Sequence, residues 1–66
     1  MDPQQYLALT ECIQLCNQLL NEMEADKDRI AACVSGSLRT AYLEANDQAT
    51  QEIKKLRTLL QQPMQG

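Results

Sequence analysis

Ser35-Gly36-Ser37 interrupts a sequence that otherwise favours helix along nearly its whole length. Over residues 4–62 there is no proline, and Gly36 is the only glycine. Glycine adopts backbone angles that are closed to other residues, and serine prefers helix ends, so together they favour a turn. This tripeptide therefore predicts two helices that fold back on each other.

The predicted hairpin is a single domain over residues 1–62, followed by a short flexible tail at 63–66. Its helices are expected at about 3–34 and about 38–61, with the turn at 35–37. A bend at 24–28 is the alternative, because charged residues there fall on the apolar face of the first helix. Helix-breaking chemistry is absent at 24–28, which favours the later turn.

Helix-forming side chains dominate both segments, and the chain contains no Phe or Trp, which disfavours sheets. Asp2 can cap the first helix, and Pro3 suits the first helical position. Leu38, Ala41, Tyr42, Ala45, Ala49, Ile53, Leu56, Leu59 and Leu60 form the predicted stripe of the second helix, with Ser37 as its cap. The predicted fold class is therefore all-α, an antiparallel helical hairpin.

The apolar face of the first helix covers about half of the helix circumference, and Leu15 widens it further. One neighbouring helix covers only a narrow seam, so the remainder needs a partner. We expect a four-helix bundle, completed by a second copy or by a helical partner chain. Three short helices that cover each other are the alternative. The predicted partner-binding residues are Tyr6, Leu9, Cys12, Ile13, Cys16, Leu19, Leu20, Met23, Ile30, Ile53, Leu56 and Leu60.

The net charge of −3 argues against nucleic acid as a partner, since nucleic-acid-binding proteins carry clustered basic residues. Residues 1–26 contain five acidic side chains and no Lys or Arg. Lys54, Lys55 and Arg57 lie close together in the second helix, where they suit a solvated helix face better than a nucleic-acid site.

Leu20-Asn21-Glu22-Met23-Glu24-Ala25-Asp26 resembles the segment that leads into the bend of Rop, a plasmid copy-number protein. The resemblance covers seven residues and implies a bend near 24–26. Rop itself is a hairpin that dimerises into a four-helix bundle and binds paired RNA, and the RNA binding does not carry over to this sequence. The RNA-binding face of Rop includes basic residues of its first helix, which this sequence lacks at 1–26. In size and acidic character the chain is also similar to helical co-chaperones of needle subunits in type III secretion.

Cys12 and Cys16 lie one helical turn apart, but the chain has no His and only one further cysteine, Cys33. A structural zinc site needs four ligands, so we expect these cysteines to be reduced, buried side chains. A thiol or metal module, built from two chains, is the alternative. No pattern of catalytic residues is present, so neither enzymatic activity nor a cofactor is expected.

The sequence predicts a small interaction protein, such as an adaptor, co-chaperone or regulator, that acts by helix–helix packing. A Rop-like regulator of nucleic acid is the competing function. The N-terminal residues lack the pattern of a signal peptide, and no apolar run reaches the length of a membrane span. A cytoplasmic location without membrane association is expected.

Overall fold

The computed structural model describes residues 2–65, with side chains described for residues 2–64; Met1 and Gly66 lie outside the described residues. The chain is all-α and forms two helices that pack against each other, α1 (Pro3–Cys33) and α2 (Gly36–Gln65). The hairpin measures 50 × 15 × 13 Å. The predicted all-α helical hairpin is confirmed.

The start of α1 follows from its first residues. The side chain of Asp2 caps the helix, because its Oδ1 accepts a 3.0 Å hydrogen bond from the backbone N–H of Gln4. Pro3 occupies the first turn, where its missing N–H has no intrahelical partner to lose. The helix continues without interruption through 24–28, so the bend that the resemblance to Rop implies is not present.

The chain reverses direction at Val34 and Ser35. Val34 is extended, with φ −123° and ψ 161°, and Gly36 has a φ of +62°, in the left-handed region that glycine adopts readily. Because the reversal is complete at Gly36, α2 begins there and Ser37 lies within its first turn rather than at its cap. α2 also passes Pro63, which in a last turn removes one backbone hydrogen bond without ending the helix.

Two contacts across the hairpin set its register. The guanidinium of Arg57 donates a 2.6 Å hydrogen bond to Asn17, and Lys27 lies 3.8 Å from Asp47. Ten residues forward along α1 therefore correspond to ten residues backward along α2, as antiparallel packing requires.

The seam between the helices follows a seven-residue repeat. On α1 it contains Leu9, Ile13, Cys16, Leu20, Met23, Lys27, Ile30 and Val34, and on α2 it contains Leu43, Asn46, Thr50, Ile53, Arg57, Leu60 and Met64. Steps of three and four residues alternate in both rows, which is the pattern of a coiled-coil seam.

The apolar stripe predicted for α2 lies only partly in the seam. Leu38, Ala41, Ala45, Ala49, Leu56 and Leu59 are exposed, and only Tyr42, Ile53 and Leu60 are half-buried. The helix is rotated so that a partly polar row, including Asn46, Thr50 and Arg57, faces α1. The larger part of the apolar stripe of α2 therefore lies on one side of the hairpin, outside the seam.

Burial within the single chain is slight. Among residues 2–64, only Cys16, at 7% exposure, and Ala31, at 5%, are buried. Two helices cannot enclose a core between them, because each seam side chain keeps one side open to solvent. The hairpin alone therefore leaves most of its apolar side chains in contact with water.

Candidate interaction surface

The two sides of the hairpin differ in chemistry. One side carries the polar contacts of Asn17 with Arg57 and of Lys27 with Asp47. The other side carries an apolar groove lined by Cys12, Leu15, Cys16, Leu19, Ile53, Leu56 and Leu60. All seven lining side chains are apolar, so the groove lacks hydrogen-bonding groups that would orient a polar ligand.

The heptad pattern explains why these side chains share one side. Cys12, Leu19 and Leu56 each directly precede a seam residue. In an antiparallel pair of helices, the residues that directly precede the seam residues of either helix lie on the same side of the pair. Leu15 follows Cys12 by three residues and precedes Leu19 by four, so it lies on the same helix face.

Four leucines on the side of the hairpin that carries the groove are exposed to solvent. Leu15 is 62% exposed, Leu59 61%, Leu56 49% and Leu19 45%. A scattered exposed leucine is ordinary on a protein surface, but four along one side of a small hairpin form a patch. Contiguous apolar patches are uncommon on monomeric proteins and are typical of sites that contact a protein, a membrane or a ligand.

Both long edges of the groove carry a glutamate, and on one edge a lysine accompanies it. On the α1 edge, Glu22 lines a shallow depression with Leu15 and Leu19. On the α2 edge, Lys55 lies beside Leu59 and is 3.3 Å from the carboxylate of Glu52.

The groove occupies the half of the hairpin that contains the chain termini. In the half near the turn, the same side of α1 carries Asp26 and Arg29, which form an ion pair at 3.2 Å. Opposite them α2 presents the small side chains of Ala45 and Ala49, both exposed. The apolar groove therefore does not extend into the half of the hairpin near the turn.

The predicted partner-binding residues fall into three groups. Cys12, Cys16, Leu19, Ile53, Leu56 and Leu60 come together as lining of the groove. Leu9, Ile13, Leu20, Met23 and Ile30 are half-buried in the seam between α1 and α2. Tyr6 is 50% exposed near the start of α1 and does not line the groove.

The predicted partner-binding residues do not include Leu15 and Leu59, although the sequence pattern places both at apolar positions. The spacing of Leu15 from Cys12 and Leu19 is the signal that identifies it. Leu59 follows Leu56 by three residues, and the same spacing places it beside the groove.

The cysteines are free thiols in two environments. Cys16 is buried, whereas Cys12 and Cys33 are exposed. The expectation of three buried cysteines is therefore wrong for two of them, because α1 turns only Cys16 toward α2. Within residues 2–65 no three Cys, Asp or Glu side chains come close enough together to hold a metal ion.

In the described part of the chain, neither helix contains a segment that is long and apolar enough to cross a membrane. Comparison with protein-family models, with curated proteins and with solved structures found no match.

Proposed function

We propose that this chain is a non-catalytic protein-interaction module that binds helices through its apolar groove. The observation that carries the proposal is the exposure of Leu15, Leu19, Leu56 and Leu59 on one side of the hairpin. A helix packed into this groove would convert the two-helix pair into a bundle with an enclosed core.

The energetic reason is hydrophobic burial. Full burial of a leucine side chain contributes about 1.5–3 kcal/mol, so covering a half-exposed leucine contributes about 1 kcal/mol. A helical partner suits the site because amphipathic helices present apolar side chains at three- and four-residue steps, which match the spacing along the groove. Adaptor, co-chaperone and regulator are roles that such binding supports.

The basic residues do not favour nucleic acid as the partner. Arg57 is held by Asn17 on the polar side of the hairpin, and Lys55 is close to Glu52. The groove itself offers no donor for phosphate. The three free thiols suit a reducing compartment such as the cytoplasm, and we expect the module to act there.

Site-specific photo-crosslinking in the producing cells tests the proposal. A benzophenone amino acid placed at Leu15 should yield covalent adducts with protein, identified by mass spectrometry. The matched control is Gln14, an adjacent exposed residue on the polar side of α1, which should yield few adducts. Adducts with RNA from position 15, or equal protein adducts from both positions, would overturn the proposal.

A further inference from the structure

We infer that the groove takes a helix of another protein whose apolar stripe spans about two turns and is followed, one turn later, by Lys or Arg. The charges around the groove select this occupant, because the side chains at one end of the groove are carboxylates. The inference rests on the proposed function and adds the chemistry of the partner.

Two glutamates lie where the exposed leucines of the groove stop. Glu22 follows Leu15 by seven residues, and Glu52 precedes Leu59 by seven residues, so each glutamate shares a helix face with its leucine. The contacts that set the register of the hairpin place residue 22 directly opposite residue 52. Both side chains are exposed. The end of the groove nearer the turn is therefore bordered by a carboxylate from each helix.

The cations of the chain do not neutralise both glutamates. Residues 2–26 contain no Lys or Arg, and among the described side chains no ion pair involves Glu22. Glu52 is 3.3 Å from Lys55, so this second pair is neutral as a whole. The guanidinium of Arg57 is directed to the polar side of the hairpin. This end of the groove therefore keeps a net negative charge.

The length of the groove sets the spacing in the partner. On α1 the lining runs from Cys12 to Leu19, which at 1.5 Å per residue is about 10 Å, or two helical turns. Glu22 follows Leu19 by three residues, one turn further along. A helix that covers the leucines brings its next position on the same face to the glutamates. Lys or Arg there can cover apolar surface with its stem and reach a carboxylate with its charged end.

A second copy of this chain can cover the leucines, but it does not match the glutamates. With the two turns at the same end, the glutamates of both copies would meet, and like charges would oppose the contact. With the turns at opposite ends, they would lie beside residues 2–10 and 58–65 of the other copy, which contain no Lys or Arg. A basic helix should therefore displace a second copy from the groove.

Two matched synthetic peptides test the inference. Both carry fluorescein and leucines at three- and four-residue steps over two turns; one turn further, the first has two lysines and the second two glutamines. Fluorescence anisotropy against the full chain gives both dissociation constants at low salt. The lysine peptide should bind about three- to fivefold more tightly, and high salt should remove the difference. Self-association of the chain competes equally with both peptides, so it does not change the ratio.

Three variants locate the effect. Glu22→Gln should reduce the preference for the lysine peptide to less than about twofold. Glu24→Gln removes the same charge but should keep the preference, because Glu24 follows Asn17 by seven residues and lies on the polar side. Leu15→Asp should weaken the binding of both peptides, since it places a charge in the groove.

Equal binding of the two peptides, or an equal loss of preference in Glu22→Gln and Glu24→Gln, would overturn the inference. Protein adducts from position 15 in the cross-linking experiment would still support the proposed function. Binding of the chain to phosphatidylcholine vesicles, with no binding of either peptide, would overturn the inference and assign the groove to a membrane surface. Binding of neither peptide, together with no protein adducts from position 15, would overturn the proposed function as well.

Discussion

Asn17 and Arg57, forty residues apart in sequence, are joined by a 2.6 Å hydrogen bond from Nη1 of Arg57 to Oδ1 of Asn17. This contact closes one side of the hairpin with polar groups. The opposite side at the same level is the apolar groove, where Leu15 and Leu56 remain exposed. At the level of Asn17 and Arg57, the hairpin therefore has a polar side and an apolar side.

The hydrogen bond between Asn17 and Arg57 is expected to contribute little to stability. Asn17 is exposed, so its replacement by alanine exchanges a protein contact for water, and the free energy of unfolding should fall by less than about 1 kcal/mol. Leu20→Ala, in the seam, should lower it by about 2–3 kcal/mol. Urea titrations followed by circular dichroism compare the two, and a larger loss for Asn17→Ala would contradict the assignment of the seam.

Lys27→Leu is expected to stabilise the hairpin by about 1 kcal/mol. Lys27 occupies a seam position, where a charged side chain costs stability relative to an apolar one. Its partner Asp47 has a side chain that is 69% exposed, so it remains solvated when the lysine is removed. Arg29→Leu is the matched control, because Arg29 is exposed and outside the seam, and it should leave the urea midpoint unchanged. Equal effects of both substitutions would contradict the seam assignment.

Gly36→Ala is expected to destabilise the chain by about 1–2 kcal/mol. A Cβ at this position meets no atom within 4 Å, so the cost comes from the φ of +62°, which L-amino acids with a side chain adopt unfavourably. Ser35→Ala, next to it and without a positive φ, should be nearly neutral. Thermal unfolding at a fixed protein concentration measures both, and a neutral Gly36→Ala would show that the turn has a different backbone path.

Cys16→Ala is expected to lower the free energy of unfolding by about 1 kcal/mol, because Cys16 is the one buried cysteine and its sulfur leaves a cavity. For a domain of this size, the melting temperature should fall by about 4–8 °C. Cys33→Ala should have little effect, since Cys33 is exposed. The melting temperatures should also be the same with and without chelator; a metal-dependent transition would show that the thiols bind metal.

The sequence was most informative where its chemistry was strongly biased. The helix start at Asp2 and Pro3 and the break near Gly36 both follow from local backbone preferences, and the structure contains both. The seam of α1 was also readable, because its leucine and isoleucine residues recur at helical spacing. Local patterns of this kind need no knowledge of the second helix.

The facing of α2 could not be read in the same way. Periodicity shows that α2 has an apolar stripe, but it does not show which part of that stripe meets α1. The facing of α2 depends on how the two helices pack together, and in the structure Asn46 and Thr50 face α1. Leu56 and Leu59 lie outside the seam, so the groove could be identified only once the packing of the two helices was known.

Sedimentation equilibrium over a dilution series tests the central claim most directly, namely that the apolar groove binds helices, because in a solution of the isolated chain only a second copy is present to fill it. The wild-type chain should have about twice its mass of 7.5 kDa at micromolar concentration. Leu15→Asp, which places a charge in the groove, should raise the dissociation constant at least about tenfold, since burial of an unpaired carboxylate costs several kcal/mol. Gln14→Asp, on the polar side, should leave it unchanged within about twofold. A wild-type chain that is a cooperatively folded monomer across the series, or equal behaviour of the two variants, would contradict the account.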